Sequence, residues 1–119
     1  MPTQVLELAE RALVNLDSKA LVSLYADKFV YEDTSAGLRI DTKEALSSYF
    51  ERLFGLPEVK FSNVSFFSAG DRGAGQWTWE GRSRQSGAHF AVRGASLFKL
   101  REDTIEEEIV FYDPRPAYA

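Results

Sequence analysis

The chain contains no cysteine and one histidine, His89. The first absence excludes disulfides and thiolate chemistry. Together they would leave a zinc ion almost nothing but carboxylates, so no metal site is expected. Positive charge is the scarcer sign: 14 Lys and Arg stand against 18 Asp and Glu, a net charge of −4. With no basic stripe, a nucleic-acid backbone is not an expected partner. No apolar run approaches the roughly 18 residues that a membrane span needs. The opening residues MPTQVLELAERALV carry Glu7 and Glu10 inside their apolar pattern, unlike a signal peptide. These absences fit a cytoplasmic setting. Gly70, Gly73 and Gly75 fall in a strand-to-strand turn and make no phosphate loop.

What is abundant is aromatic. Nine Phe, five Tyr and two Trp occur in 119 residues, and 45% of the chain is hydrophobic. That length suits one domain spanning residues 1–119, with enough apolar surface to build a core. Val5, Leu6, Leu8, Ala9, Ala12, Leu13 and Leu16 form one helical stripe over 3–16, with Thr3 able to cap it. Asp17 can cap a second helix, Lys19 to Tyr25. The period then changes to two at KFVYED, where Phe29, Tyr31 and Asp33 share a face. A turn at Ser35-Ala36-Gly37 leads to a short strand, Leu38 to Asp41. Asp41 and Glu44 have capping-box spacing ahead of a third helix, whose inner face is Ala45, Leu46, Tyr49, Phe50, Leu53 and Phe54. Four longer strands follow. Val59 to Ala69 breaks its alternation near Asn63, which predicts a bulge. Ala74 to Arg82 puts Trp77 and Trp79 on one face. The last two run from Gly87 to Asp113 around a turn at Arg101-Glu102-Asp103, with Gly94 permitting a bend. The tail from Pro114 is expected to be irregular.

Helices grouped against such strands predict an α+β domain. The segments ALVSLYADKFVYED (20–33), TKEALSSYFERLF (42–54), QWTWEG (76–81) and RGASLFKLREDTIEEEIVFYD (93–113) carry a resemblance that covers nearly the whole chain. It resembles the nuclear transport factor 2-like superfamily, in its SnoaL-like and ketosteroid-isomerase-like branch. The resemblance implies a cone-shaped, curved antiparallel sheet of about six strands wrapped around three helices, a cystatin-like α+β barrel. It also implies a cavity and usually a homodimer. This fold hosts isomerases, dehydratases, cyclases, hydrolases and non-catalytic binders, so it does not name a reaction. Asp33 matches the general-base position of the isomerases. Ser96 matches the position of their acidic hydrogen-bond donor and of a cyclase histidine. Val110 stands where the cyclases place a catalytic acid. The first helix, near Ala9 and Glu10, lacks the isomerases' oxyanion-holding tyrosine.

These residues make a candidate site. Asp33 would accept a proton, because burial in an apolar cavity disfavours a charged carboxylate; the structural alternative is that it caps the turn at 34–37. The run Glu106-Glu107-Glu108 reads first as a solvated strand edge or a partner for Arg93 and Lys99. The resemblance instead sends Glu108, with Val110 and Tyr112, to the cavity, where two carboxylates could divide into acid and base. Trp77 and Trp79 are flat walls for a ring-shaped ligand, or simply core. Tyr31, Tyr112 and Ser96 offer hydroxyls, and Phe50 closes the helical side with Phe54. His89 is expected at the surface. No cofactor is needed, since proton transfer requires only a placed base and a stabilised oxyanion. The expected function is a small-molecule pocket doing acid–base chemistry of isomerase, cyclase or dehydratase type on an apolar ring-containing ligand. The rivals are a ligand carrier without turnover and a dimerisation module with a filled pocket. Alternation leaves Ala91, Ala95, Leu97, Ile105, Ile109 and Phe111 on the outer face of the last hairpin, an apolar patch that suits a two-fold partner.

Overall fold

The computed structural model describes residues 4–118. Helix α1 spans Gln4–Val14 and buries Val5, Leu6, Ala9, Ala12 and Leu13, while Leu8, expected on the same stripe, is exposed; Thr3 lies outside the described residues. Asp17 caps α2 (Ser18–Val22) by accepting a hydrogen bond from the Ala20 N–H at 3.0 Å. The second helix is shorter than its spacing predicts. Ser23 ends it, and Tyr25 belongs instead to strand β1 (Tyr25–Asp33). Strand β2 is Leu38–Ile40. Helix α3 (Lys43–Phe54) is capped by Thr42 rather than Asp41: the Thr42 hydroxyl accepts from the Ala45 N–H at 3.2 Å. Leu46 and Phe50 are its buried anchors, and Ala45, expected inside, is exposed.

Strands β3 (Lys60–Ala69), β4 (Arg72–Arg82), β5 (His89–Arg101) and β6 (Thr104–Tyr112) complete a six-stranded sheet of order β2-β1-β6-β5-β4-β3. The domain is α+β, with three helices on a curved open sheet. Four of the five strand pairings are antiparallel, but β1 and β6 run parallel, so the returning chain lays its last strand beside its first. That pairing sets Asp33 opposite Val110 and Tyr31 opposite Glu108.

Two irregularities shape the inner face. The β3–β4 register shifts between Ser62 and Ser65, where Asn63 takes a φ of 52°, which is the bulge that the broken alternation predicts. Nearby, the Phe66 N–H on this edge strand donates to the Glu10 carboxylate at 2.8 Å, tying α1 to the sheet. A second bulge was not visible in the alternation. The β5–β6 register shifts between Lys99 and Leu100, so that Leu100 faces Ile105 while Lys99 faces Glu107. The extra residue turns Ile105 inward, where it is fully buried, and corrects its assignment to the outer face. Gly94 is explained by packing: a Cβ there would lie 2.2 Å from the Trp77 ring. The indole lies across the strand in the space that the missing side chain leaves. After β6, Arg115–Tyr118 forms a short 3-10 helix whose Ala117 is buried, where an irregular tail was expected. Among the described residues no helix is long and apolar enough to cross a membrane.

Candidate functional site

Two buried carboxylates stand on the concave face, on adjacent parallel strands. Glu108 comes from β6 and is 8% exposed. Tyr25 donates its hydroxyl to Oε1 in a short hydrogen bond. The Ser96 hydroxyl donates to Oε2 at 2.9 Å and itself accepts from the Trp77 indole N–H at 3.0 Å. Among the described residues no cation pairs with this carboxylate. Burial therefore dominates, and it pushes the Glu108 carboxyl up to about 7, against the pull of its two hydroxyl donors. The same burial raises Tyr25 well above the ordinary phenol value, reinforced by the negative charge of Glu108. The Glu-run splits by role: Glu106 takes the ion pairs with Lys99 (3.6 Å) and Arg101 (3.4 Å), and Glu108 goes inside.

Asp33, at the end of β1, is 1% exposed. Its Oδ1 accepts from the Ala36 N–H at 3.0 Å, closing the turn that follows. Its Oδ2 accepts two phenol hydroxyls, from Tyr49 at 2.7 Å and Tyr112 at 2.8 Å. Thus the carboxylate both caps its turn and faces the interior. The turn itself is pinned to β6: the Thr34 hydroxyl donates to the Val110 carbonyl at 2.7 Å, and the Ser35 hydroxyl donates to the Tyr112 carbonyl. Burial and the Asp33 charge raise both Tyr49 and Tyr112, which keeps them as hydroxyl donors. Tyr31 adds a longer contact, 3.4 Å, to the Tyr49 oxygen.

These residues border two spaces. An inner cavity of about 50 Å³ has Glu108 in its wall, among Tyr25, Tyr31, Phe50 and Trp77. An outer vestibule of about 460 Å³ has Asp33 in its wall. Tyr49, Leu53, Trp79 and Tyr112 line both and form the partition between them. A water takes about 30 Å³ of liquid, and a cavity of about 150 Å³ is known to hold benzene. The inner cavity thus has room for a water or two, and a ring fits there only if the walls move. The vestibule has the volume of an ordinary small-molecule site.

The structure brings most of the sequence candidates together. Tyr31, Phe50, Trp77, Glu108 and Val110 border the inner cavity, Trp79 and Tyr112 border both spaces, and Asp33 borders the vestibule. Ser96 sits behind Glu108, fully buried, and lines neither space. Phe54 packs on Phe50 with ring centroids 5.6 Å apart. His89 is exposed and 3.5 Å from Glu80. Two participants escape a reading of the sequence. Tyr25 continues the apolar spacing of α2 and so looks helical. Tyr49 reads as one more apolar position of α3; its hydroxyl on an otherwise greasy stripe was the available signal. Among the described residues no group of three or more His, Asp or Glu side chains is placed to hold a metal ion.

A family model for a SnoaL-like domain matches residues 5–114. The chain belongs to the SnoaL-like family. No curated protein sequence matches this SnoaL-like chain. Solved structures do. A hypothetical protein with a ketosteroid isomerase-like fold from Catenulispora acidiphila, determined in complex with trimethylamine, has a TM-score of 0.83 at 21% identity, covering 96% of this chain and 88% of that one. A candidate polyketide cyclase from Pseudomonas putida has a TM-score of 0.81 at 13% identity, with 98% and 94% covered. A candidate SnoaL-like polyketide cyclase from Shewanella denitrificans has a TM-score of 0.75 at 20% identity, with 95% and 90% covered. At such identities the likeness shows the SnoaL-like fold and leaves the chemistry to the site.

Proposed function

We propose that this protein binds a small, mostly apolar molecule and moves a proton on it without a cofactor. One observation carries the reading: Glu108, a carboxyl with a pKa of about 7, is buried in an aromatic cavity with only hydroxyl partners. Such a group gives and takes a proton at neutral pH. A ring seated in the vestibule meets the partition, and its reactive end passes toward Glu108 when Tyr49 or Tyr112 turns aside. Each phenol has a single proton, now given to Asp33; the one that turns aside exchanges that acceptor for a developing oxyanion. The sequence pattern favours Asp33 as base. In the folded protein Asp33 already accepts three hydrogen bonds, which supports a positioning role for it and a proton-transfer role for Glu108.

The reaction class is proton abstraction beside a carbonyl, as in isomerisation, cyclisation or dehydration. The test is exchange of solvent deuterium into 2-tetralone, followed by NMR. The wild type is expected to catalyse exchange, with a rate rising through pH 7. Glu108→Gln is expected to slow it by about 10²-fold or more, and Asp33→Asn by less. Equal rates for Glu108→Gln and wild type, or no catalysis by the wild type, would overturn the reading.

A second reading is non-catalytic binding of a small amine in the inner cavity. Aromatic faces around a carboxylate attract ammonium ions, and the Catenulispora neighbour was determined with trimethylamine. It predicts pH-dependent binding of ethylammonium over isosteric ethanol, with no turnover. We also propose a homodimer through the outer sheet face, where Leu97 and Phe111 remain exposed. Leu97→Glu should give a monomer by analytical ultracentrifugation if that face is the contact; a wild-type monomer would refute it.

A further inference from the structure

The vestibule is charged in a way that its chain is not. The protein carries a net −4, yet the vestibule wall holds two arginines, Arg52 and Arg84, against one acid, Asp33. Arg52 projects from the last turn of α3, and Arg84 comes from the loop between β4 and β5. Neither guanidinium belongs to any ion pair among the described residues. The acids nearest to them in sequence are engaged elsewhere. Glu51 accepts from Ser47, Glu58 pairs with Arg82 at 2.6 Å, and Glu80 accepts from Ser62 at 2.7 Å. Asp33 is no partner either, since its oxygens are turned to Tyr49, Tyr112 and the Ala36 N–H.

Trp79, 5% exposed, lines the same vestibule and gives it a flat apolar wall beside Leu53 and Leu56.

We propose that the vestibule takes a carboxylate-bearing molecule with an apolar, ring-containing body, its charged end on Arg52 and Arg84 and its body against Leu53, Leu56 and Trp79. The inference rests on the small-molecule reading above and names the class of ligand. Arginine suits this task because its planar fork matches the two oxygens of a carboxylate. The arrangement also orients the ligand. With the anion held at the mouth, the apolar end points to the tyrosine partition and to Glu108 beyond it. It also keeps the ligand's charge away from the Glu108 carboxyl.

The test compares 2-naphthoate with its neutral isostere 2-naphthamide, by calorimetry at low salt. The wild type should bind the acid about tenfold more tightly than the amide. The double variant Arg52→Gln/Arg84→Gln should bind both alike, and added salt should erase the wild-type preference. Both arginines are exposed, so the variant should fold, and its unchanged affinity for the amide would report an intact vestibule. Arg52→Lys/Arg84→Lys should recover part of the preference. A double glutamine variant that still prefers the acid, or a wild type that binds acid and amide equally, overturns the carboxylate inference and leaves the pocket reading standing. If neither compound binds the wild type, both fall together.

Discussion

Asp33 and Glu108 are both buried acids on neighbouring strands, and they differ in what surrounds them. Asp33 is satisfied three ways, once by the backbone of its own turn and twice by phenols. Glu108 has two hydroxyls, no backbone donor and a void at its side. The first arrangement holds structure together, because the carboxylate ties a turn, a helix and a strand at one point. The second leaves a carboxyl whose charge is poorly solvated. Similar burial thus goes with a tethered carboxylate in one case and, in the other, with a carboxyl pushed up to about 7.

The largest expected effect comes from breaking the anchor. Asp33→Ala leaves the Tyr49 and Tyr112 hydroxyls and the Ala36 N–H without their acceptor, and should cost roughly 4 kcal/mol in urea unfolding. Asp33→Asn, which keeps one acceptor oxygen, should cost about half as much. Equal stability for wild type and alanine variant would remove the distinction between the two acids.

Next comes the pH dependence of stability, which belongs to Glu108. Its folded pKa of about 7 lies above the ordinary 4.5, so the folded chain binds the proton more tightly than the unfolded one. Its contribution is fully present below about 4.5 and is lost as pH rises through about 7, on the order of 3 kcal/mol. Glu108→Gln should abolish this slope and be the more stable protein at pH 8. Parallel pH curves for variant and wild type would contradict it.

Gly94→Ala disturbs both sides, because its Cβ strikes the Trp77 ring, which holds Ser96 and packs on Tyr112. It should cost about 2 kcal/mol in urea unfolding and shift the titration of Glu108 through Ser96. The smallest effect is Tyr112→Phe, about 1 kcal/mol, because Asp33 keeps two donors.

The sequence makes the elements legible because each buries a periodic stripe. The stripes of α1 and α3, the Asn63 bulge and the inward pair Trp77 and Trp79 all follow from spacing. Asp33 is readable too, since Phe29 and Tyr31 fix its face. The bulge in β6 is not. Counting by two from Tyr112 puts Glu106 inside and Ile105 outside; one inserted residue reverses this, and nothing in a run of glutamates marks where it falls. Tyr25 is hidden for a related reason, because a helix and a strand meet within three residues and its apolar spacing fits both. The parallel β1–β6 pairing comes from chain return, which local pattern does not encode. The vestibule arginines carry no periodic signal, and only their shared cavity singles them out.

The most direct measurement is a carbon-13 NMR titration of the Glu108 side-chain carboxyl in the folded protein. A midpoint close to pH 7, shifting upward when Ser96→Ala removes one hydroxyl donor, is the outcome that burial without a cation predicts. A midpoint near the ordinary 4.5 would show a well-solvated carboxylate and contradict the account.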